Sequence, residues 1–326
     1  MIEVKNISKV YKIAKKGKKG LFSREYEHRR AVDDISFTIN DGEIVGFIGP
    51  NGAGKSTTIK MLSGILHPDS GSISVNGYIP YKQRKKYVAN IGVVFGQKSQ
   101  LNWDLPLIES FELIRYIYKI PKKKYEENLA KFIEMLDMNE FINQPVRQLS
   151  LGQKMRGDIV AALLHSPKIV FFDEPTIGLD VVAKEKIREF IRHLNKTENI
   201  TMIFTTHDMQ DIEKVCDRLI IIDEGHKIYD GTVSEIKHSY NSKKILEAEI
   251  AEDSPVDFAK FGDDLKMTDI SEHKKIIKRF EFDSNLCAIN EVMESIFSQY
   301  EVNDISVKEP EIDSIIRDIY EGELQV

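Results

Sequence analysis

The residues from 49 to 57 have the types and spacing of a phosphate-binding loop. In order they are Gly49, Pro50, Asn51, Gly52, Ala53, Gly54, Lys55, Ser56 and Thr57. This order fits G-x-x-x-x-G-K-[ST], in which glycines let backbone N–H groups converge on phosphate oxygens. In that pattern the lysine reaches the outer phosphates and the serine hydroxyl ligates Mg²⁺. We therefore predict a nucleotide site here, with Mg²⁺ bound by Ser56.

A second group that could do chemistry is a pair of carboxylates after an apolar run. Residues 169–173 are Ile-Val-Phe-Phe-Asp, and Glu174 follows directly. A short apolar run between turn residues is typical of a buried strand, and ligands bind at the carboxyl ends of such strands. Neighbouring side chains at a strand end point in different directions. We predict that Asp173 anchors Mg²⁺ together with Ser56, and that Glu174 is the general base for an attacking water.

The order of predicted strands and helices around these residues indicates an α/β core with a helical insertion. Alternating or continuous apolar runs predict strands at residues 2–13, 32–39, 44–48, 71–79, 91–95, 169–172, 201–205 and 219–222. Helical spacing of apolar residues predicts helices at residues 57–66, 107–120 and 125–136. The phosphate loop thus lies between a buried strand and a helix. The basic stretch 12–30, with eight Lys and Arg against two Glu, is predicted as a loop or loose hairpin.

The last part of the chain has its own pattern and its own charge. Strands are predicted at 245–250, 276–282 and 302–307, and helices at 286–300 and 311–320. Residues 241–326 carry 21 Asp and Glu against 10 Lys and Arg. We predict two domains, 1–238 and a small α+β accessory domain at 239–326.

Composition narrows the classes of partner. The net charge of −6 does not favour nucleic acid, and we predict no nucleic-acid partner. Cys216 and Cys287 lie far apart without metal-ligand spacing, as expected for reduced thiols in a cytosolic protein. No apolar run approaches the roughly 18 residues that a spanning helix needs. If the protein works at a membrane, we expect another chain to cross it.

Between the phosphate loop and the carboxylates lies a motif that identifies a family. The residues in order are Leu149, Ser150, Leu151, Gly152 and Gln153. They resemble the signature Leu-Ser-Gly-Gly-Gln of the ABC transporter ATPases. In that family the signature faces the γ-phosphate of ATP bound to a partner chain. Leu151 replaces the first glycine of the pair, a departure that concerns the rate of hydrolysis more than nucleotide binding.

Other landmarks of the ABC family follow in order, and the resemblance covers about residues 2–236. Gln97 matches the Q-loop, which in the family senses Mg²⁺ and water and links to a helical subdomain, here about residues 98–165. Asp180 matches the D-loop, and His207 matches the switch histidine. Tyr11 matches the aromatic residue that stacks on adenine, which supplies affinity with little base selectivity.

The resemblance implies a fold and a mode of action. It implies a P-loop ABC ATPase core with a helical subdomain, which binds ATP and Mg²⁺ and hydrolyses ATP. Two such domains pack head to tail around two ATP molecules. One complete set of motifs permits a homodimer and leaves a heterodimer open.

The single ATPase domain and the appended C-terminal domain resemble the ATPase subunits of drug and antibiotic exporters with separate permease subunits. A cytoplasmic location on the inner face of the cell membrane follows from that resemblance. Trp103, the only tryptophan, is a candidate anchor for a permease. The transported cargo does not follow from this subunit. For the C-terminal domain we expect a regulatory or dimer-stabilising role, which unchanged dimerisation, transport and ATPase activity after truncation near residue 238 would refute.

A soluble ABC ATPase in translation or DNA repair is the alternative class. A ribosome-associated member would normally carry two ATPase domains in one chain, and this chain has one set of motifs. A DNA-repair member would place a long coiled coil between the phosphate loop and the signature. Lys55 and Ser150 are only 95 positions apart, without sustained heptads between them. The sequence therefore favours the transporter class.

Overall fold

The computed structural model describes residues 1–14, 26–96, 98–238, 243–252, 258–271, 275–308 and 312–321. The chain divides into two compact units, Met1–Val233 and Ser234–Val326. Among the residues described, no helix combines the length and the apolar character needed to cross a bilayer.

The first unit is a mixed α/β structure. Its strands are β1 (Ile2–Ala14), β2 (Tyr26–Ile39), β3 (Ile44–Ile48), β4 (Ser70–Val75), β5 (Ile91–Phe95), β6 (Ile169–Asp173), β7 (Thr201–Thr205), β8 (Arg218–Asp223) and β9 (His226–Thr232). The helices up to the unit boundary are α1 (Lys55–Leu62), α2 (Arg84–Val88), α3 (Leu107–Tyr118), α4 (Lys122–Met135), α5 (Leu151–Leu163), α6 (Val181–Glu198), α7 (Met209–Val215) and α8 (Val233–His238). The predicted α/β class is confirmed.

Two sheets organise this unit. The larger has the order β5-β6-β7-β3-β8-β9, in which only the pair β8–β9 is antiparallel. The smaller is antiparallel, with the order β2-β1-β4. Because β3, β6 and β7 run in parallel, the segments that follow them leave the sheet at one edge. The phosphate loop, the two carboxylates and His207 are those segments.

A core between the two sheets holds the phosphate loop in place. Phe37 of β2 and Phe47 of β3 approach to 5.8 Å between ring centroids, and both are buried. Ile59 and Leu62 of α1 belong to the same buried cluster. The Tyr87 hydroxyl donates to the Leu62 carbonyl at 2.5 Å and closes the C-terminal end of α1. The helix after the loop is therefore held by burial of one of its faces.

The described part of the basic stretch takes the hairpin form, one of the two alternatives predicted for it. β1 pairs with β2 from Ile2↔Ile39 out to Ala14↔Tyr26, so that residues 12–14 and 26–30 are strand rather than loop. The predicted strand at 32–39 correspondingly begins at Tyr26. Pairing with β1 supplies the backbone hydrogen bonds of this polar segment, which its composition does not reveal. The remaining residues of the stretch lie outside the described part of the chain.

The helical insertion, α3 to α5, is joined to the segment after β5 by a buried carboxylate. Asp158 of α5 accepts hydrogen bonds from the Gln100 backbone N–H at 2.8 Å and the Ser99 hydroxyl at 3.0 Å. Burial raises the pKa of Asp158 to about 6, and these two hydrogen bonds oppose the shift. Asp158 thus ties the helix that begins at the signature to the segment just after Gln97.

The second unit is the predicted α+β type. It contains β10 (Lys243–Ile250), β11 (Leu265–Asp269), β12 (Ile276–Asp283), β13 (Val302–Lys308), α9 (Ile289–Gln299) and α10 (Ile312–Glu321). The strands form one antiparallel sheet in the order β11-β12-β10-β13. Leu246, Phe280 and Val292 belong to its buried cluster. On the other face of β10, Glu247 pairs with Arg279 at 2.7 Å.

Candidate functional site

The phosphate loop has a backbone that glycine alone adopts easily. Gly52 and Gly54 have φ values of +88° and +108°, in the left-handed region. A Cβ atom on Gly54 would lie 2.4 Å from the carbonyl oxygen of Ala31. α1 begins at Lys55, earlier than the predicted start at residue 57, and Thr58 donates to the Gly54 carbonyl at 2.9 Å. The free N–H groups at the start of α1 face the loop, where a phosphate would be bound.

Lys55 is buried against its own loop. Its Nζ donates to the carbonyl oxygens of Gly49 at 2.5 Å and Pro50 at 3.1 Å. Burial lowers the pKa of Lys55, while the charges of Glu174 and Asp173 act in the opposite direction. Neutral carbonyls compensate a buried ammonium only in part. A nucleotide phosphate would supply the missing negative charge.

Oxygen ligands suited to Mg²⁺ meet beside the loop. The Ser56 hydroxyl donates to Asp173 Oδ1 at 3.4 Å, across 117 positions of sequence. The Thr205 hydroxyl donates to the same oxygen at 2.8 Å, which fixes the carboxylate at the end of β6. A hydroxyl and a carboxylate are hard oxygen ligands of the kind that Mg²⁺ takes next to nucleotide phosphates. The residues present therefore fit the predicted ion.

Glu174 and His207 lie in contact at the ends of β6 and β7. Glu174 has φ +57°, and its N–H donates to the carbonyl and the hydroxyl of Thr205 at 3.0 and 3.1 Å. This bend directs the carboxylate to 2.5 Å from His207 Nε2. A non-glycine residue in the left-handed region is strained, and such strain clusters at functional sites. The arrangement suits a carboxylate base oriented by an imidazole.

A cavity of about 510 Å³ brings most of the predicted nucleotide-binding residues together. This is within the size range of small-molecule sites. Its lining residues are Tyr11, Lys12, Ile13, Arg29, Ala31, Asn51, Gly52, Gly54, Lys55, Ser56, Thr57 and Glu174. Tyr11 therefore shares a cavity with the phosphate loop, as stacking on adenine requires. Gln97 lies outside the described residues, and its role stays a prediction.

The signature lies elsewhere on the same chain. Ser150 caps α5, because its hydroxyl accepts from Gln153 N–H at 3.2 Å while the Gln153 carboxamide oxygen accepts from Ser150 N–H at 2.8 Å. None of the residues 149–153 lines the cavity that contains the phosphate loop. The side chain of Leu151 is 48% exposed. The signature is thus presented at the surface, without contact to its own chain's nucleotide cavity.

The D-loop residue next to the signature has a capping role. Asp180 Oδ1 accepts from the Ala183 backbone N–H at 2.9 Å and begins α6. Gly178 shares this surface, since a Cβ atom placed on it would lie 3.0 Å from a methyl of Leu151. The substituted signature residue therefore packs directly on the D-loop.

A buried ionic network behind the site was missed by sequence reasoning. Asp211 of α7 is 0% exposed and accepts from the hydroxyls of Thr176 at 2.5 Å and Thr206 at 2.7 Å. Its other oxygen accepts from Arg188 Nε of α6 at 2.6 Å. Thr176 follows Glu174, and Thr206 precedes His207. Asp211 therefore joins the two loops that hold the carboxylate–imidazole pair.

The parallel sheet, the glycine loop and the strand-end carboxylates define a P-loop ATPase. Comparison with known proteins gives the family. The ABC transporter family matches residues 32–177. The ABC transporter ATP-binding protein NatA of Bacillus subtilis is 34% identical over 68% of this chain and 92% of its own length. The linearmycin resistance ATP-binding protein LnrL of Bacillus subtilis is 35% identical over 77% of this chain and 75% of its own length.

Solved structures of ABC transporter ATP-binding subunits have a similar fold. The ATP-binding subunit of an ABC transporter superimposes with a TM-score of 0.62 at 28% identity, over 73% of this chain and 92% of that one. A dimeric ATP-binding cassette in a post-hydrolysis state, bound to ADP and Pi, gives a TM-score of 0.61 at 27% identity. The match covers 72% of this chain and 99% of that one. The chain belongs to the ABC transporter ATP-binding proteins and is an ATPase of that family.

The Asp211 network predicts the result of a substitution away from the cavity. Asp211→Asn leaves Arg188 without its closest carboxylate, so we expect the free energy of unfolding to fall by about 3 kcal/mol. ATP turnover should also fall, because the loops of Glu174 and His207 lose their shared anchor. Urea unfolding and steady-state ATP hydrolysis measure the two effects.

Asp217→Asn is the matched control, because that carboxylate is 75% exposed and its pair with Arg192 spans 3.4 Å. Asp217→Asn should change neither the free energy of unfolding nor the ATP turnover appreciably. Equal stability and activity of the Asp211 variant and this control would show that the network does not support the site.

Proposed function

We propose that this chain is the ATP-hydrolysing subunit of an exporter, working as a homodimer on separate permease subunits at the cytoplasmic face of a membrane. Relatives named for linearmycin resistance and for Nod factor export support the exporter class. The soluble alternative is not favoured. The proposal of a dimer is supported by one observation above all. The signature lies away from the nucleotide cavity of its own chain.

In the proposed site the phosphates of ATP lie in the loop from Gly49 to Ser56. The backbone N–H groups and the start of α1 bind phosphate oxygens, and Lys55 exchanges loop carbonyls for the outer phosphates. Tyr11 stacks on the adenine. Ser56 and Asp173 would hold Mg²⁺, which when bound neutralises the negative charge of the outer phosphates.

Hydrolysis in this scheme depends on the pair at the ends of β6 and β7. Glu174 accepts a proton from a water as the water oxygen bonds to the γ-phosphorus and the bond to ADP breaks. His207 Nε2 contacts the carboxylate at 2.5 Å and orients it toward that water. Dimer closure brings the partner's Ser150 and Gly152 to the γ-phosphate. Release of phosphate then removes the group that both chains bind.

Exposed apolar groups in the helical insertion support a permease partner. Trp103 is 57% exposed, with Lys154 Nζ 4.5 Å from its ring centroid. Leu113, Tyr116 and Ile117 are exposed and spaced along α3 so that they share one helix face. Large exposed apolar side chains of this kind are typical of interaction sites. We place the permease contact on this part of the insertion.

The role of Glu174 is tested by Glu174→Gln, which keeps the shape of the side chain and removes the base. We expect ATP binding to persist, turnover to fall by about 100-fold or more, and ATP-bound dimer to accumulate. Phosphate release and size-exclusion chromatography with ATP measure these effects. Glu224→Gln is a matched control, since Glu224 also follows a strand with a positive φ of 45°. Turnover that is equal in both variants would remove Glu174 from the reaction.

The permease contact is tested by the double substitution Trp103→Ala and Ile117→Ala. Both side chains are exposed, so the isolated protein should fold and hydrolyse ATP normally. The share of the chain that sediments with membranes of the native cell should fall severalfold. Leu286→Ala, at an exposed position of the second unit, controls for loss of apolar surface. An unchanged membrane share of the double variant would place the contact elsewhere.

A further inference from the structure

The hairpin of β1 and β2 contributes several residues to the wall of the nucleotide cavity. Tyr11 and Arg29 are directly paired in the antiparallel ladder, so that their side chains project from the same face. Ile13 lies two residues further along β1 and shares that face. Ala31 lies at the irregularity between the pairs Lys9↔Val32 and Val10↔Arg30. All four residues line the cavity of about 510 Å³. Arg29 is therefore placed there by strand register.

The guanidinium group of Arg29 lies against the phosphate loop itself. A Cβ atom placed on Gly52 would be 3.0 Å from Arg29 Nη2. Lys55 approaches the same loop from another position, since its Nζ bonds the carbonyls of Gly49 and Pro50. Two cationic groups thus reach the loop at separate points. Only the lysine is part of the family motif.

Over the described parts of the chain, neither Arg29 nor Lys12 has a carboxylate within ion-pair distance. The next residue differs, because Arg30 donates to Asp33 Oδ2 at 2.6 Å. A guanidinium presents a planar set of donors that matches two oxygens of a phosphate. The exposed guanidinium of Arg29, which has no ion pair among the described residues, lies where a phosphate bound in the loop would be such a ligand.

We propose that Arg29 is a further phosphate-binding residue of the nucleotide site, supplied by the β1–β2 hairpin. Its ligand is a phosphate of a bound nucleoside di- or triphosphate. The inference rests on the ATP site proposed above and adds a residue outside the sequence motifs. Arg29 completes a clamp in which Lys55 and Arg29 hold the phosphates from two points of the loop.

The test is calorimetric titration of the full chain with ATP, with EDTA present to prevent hydrolysis. Arg29→Ala should weaken ATP binding about tenfold, as expected for loss of a charge-assisted pair. Arg30→Ala, at the neighbouring position paired with Asp33, should stay within about twofold. The ATP affinity of Arg29→Lys should lie between those of Arg29→Ala and Arg30→Ala, because lysine keeps the charge and loses the planar set of donors. The difference between Arg29→Ala and the wild type should shrink as salt rises.

Titrations with ADP and adenosine locate the contact. Equal losses with ATP and ADP place it at the α- or β-phosphate, and a loss with ATP alone places it at the γ-phosphate. Unchanged ATP affinity of Arg29→Ala overturns the proposal, and so does an equal loss with adenosine, which has no phosphate. A wild-type chain that fails to bind ATP would instead refute the ATP site itself.

Discussion

The hydroxyl group of Thr205 holds the two carboxylates of the site together. It donates to Asp173 Oδ1 at 2.8 Å and accepts from the Glu174 N–H at 3.1 Å. These contacts exist because β6 and β7 are parallel neighbours in the register Asp173↔Thr205. The carboxylate proposed to bind Mg²⁺ and the proposed base thereby share one support. Asp211 extends that support to the loops on either side through two threonine hydroxyls.

The signature lies outside the nucleotide cavity of its own chain, and we propose that it completes the cavity of the partner chain. Ser150 and Gln153 use their side chains to cap α5, so that the helix begins rigidly at the surface. Asp158, two turns along α5, is bonded to the segment after β5. The helix that begins at the signature is thereby bonded to the segment just after Gln97.

The sequence predicted the parts of the site that depend on local pattern. The apolar runs of β3 and β6 are buried strands, and the glycine loop between β3 and α1 has the expected form. The left-handed φ of Glu174 had no local signal, because glycine is the residue that usually marks such a bend. β9 was not predicted, since its residues are half-buried or exposed without clear alternation.

Long-range contacts were also beyond sequence reasoning. Arg188 and Asp211 lie on different helices, and their pairing depends on tertiary packing. Their one signal was a charge on the apolar face of a helix. The position of Arg29 depends on a strand register with irregularities near Lys9, which pattern alone cannot give.

We propose that each nucleotide site is completed by the signature of the partner chain. Mixing a Lys55→Ala chain with a Ser150→Arg chain and measuring ATP hydrolysis tests this arrangement. Each variant alone should be inactive, because both sites of its dimer carry a defect. In a mixed dimer one site combines an intact Lys55 with an intact Ser150, so turnover should reappear. If the mixture stays as inactive as the separate variants, although mixed dimers form, the sites are not shared between chains.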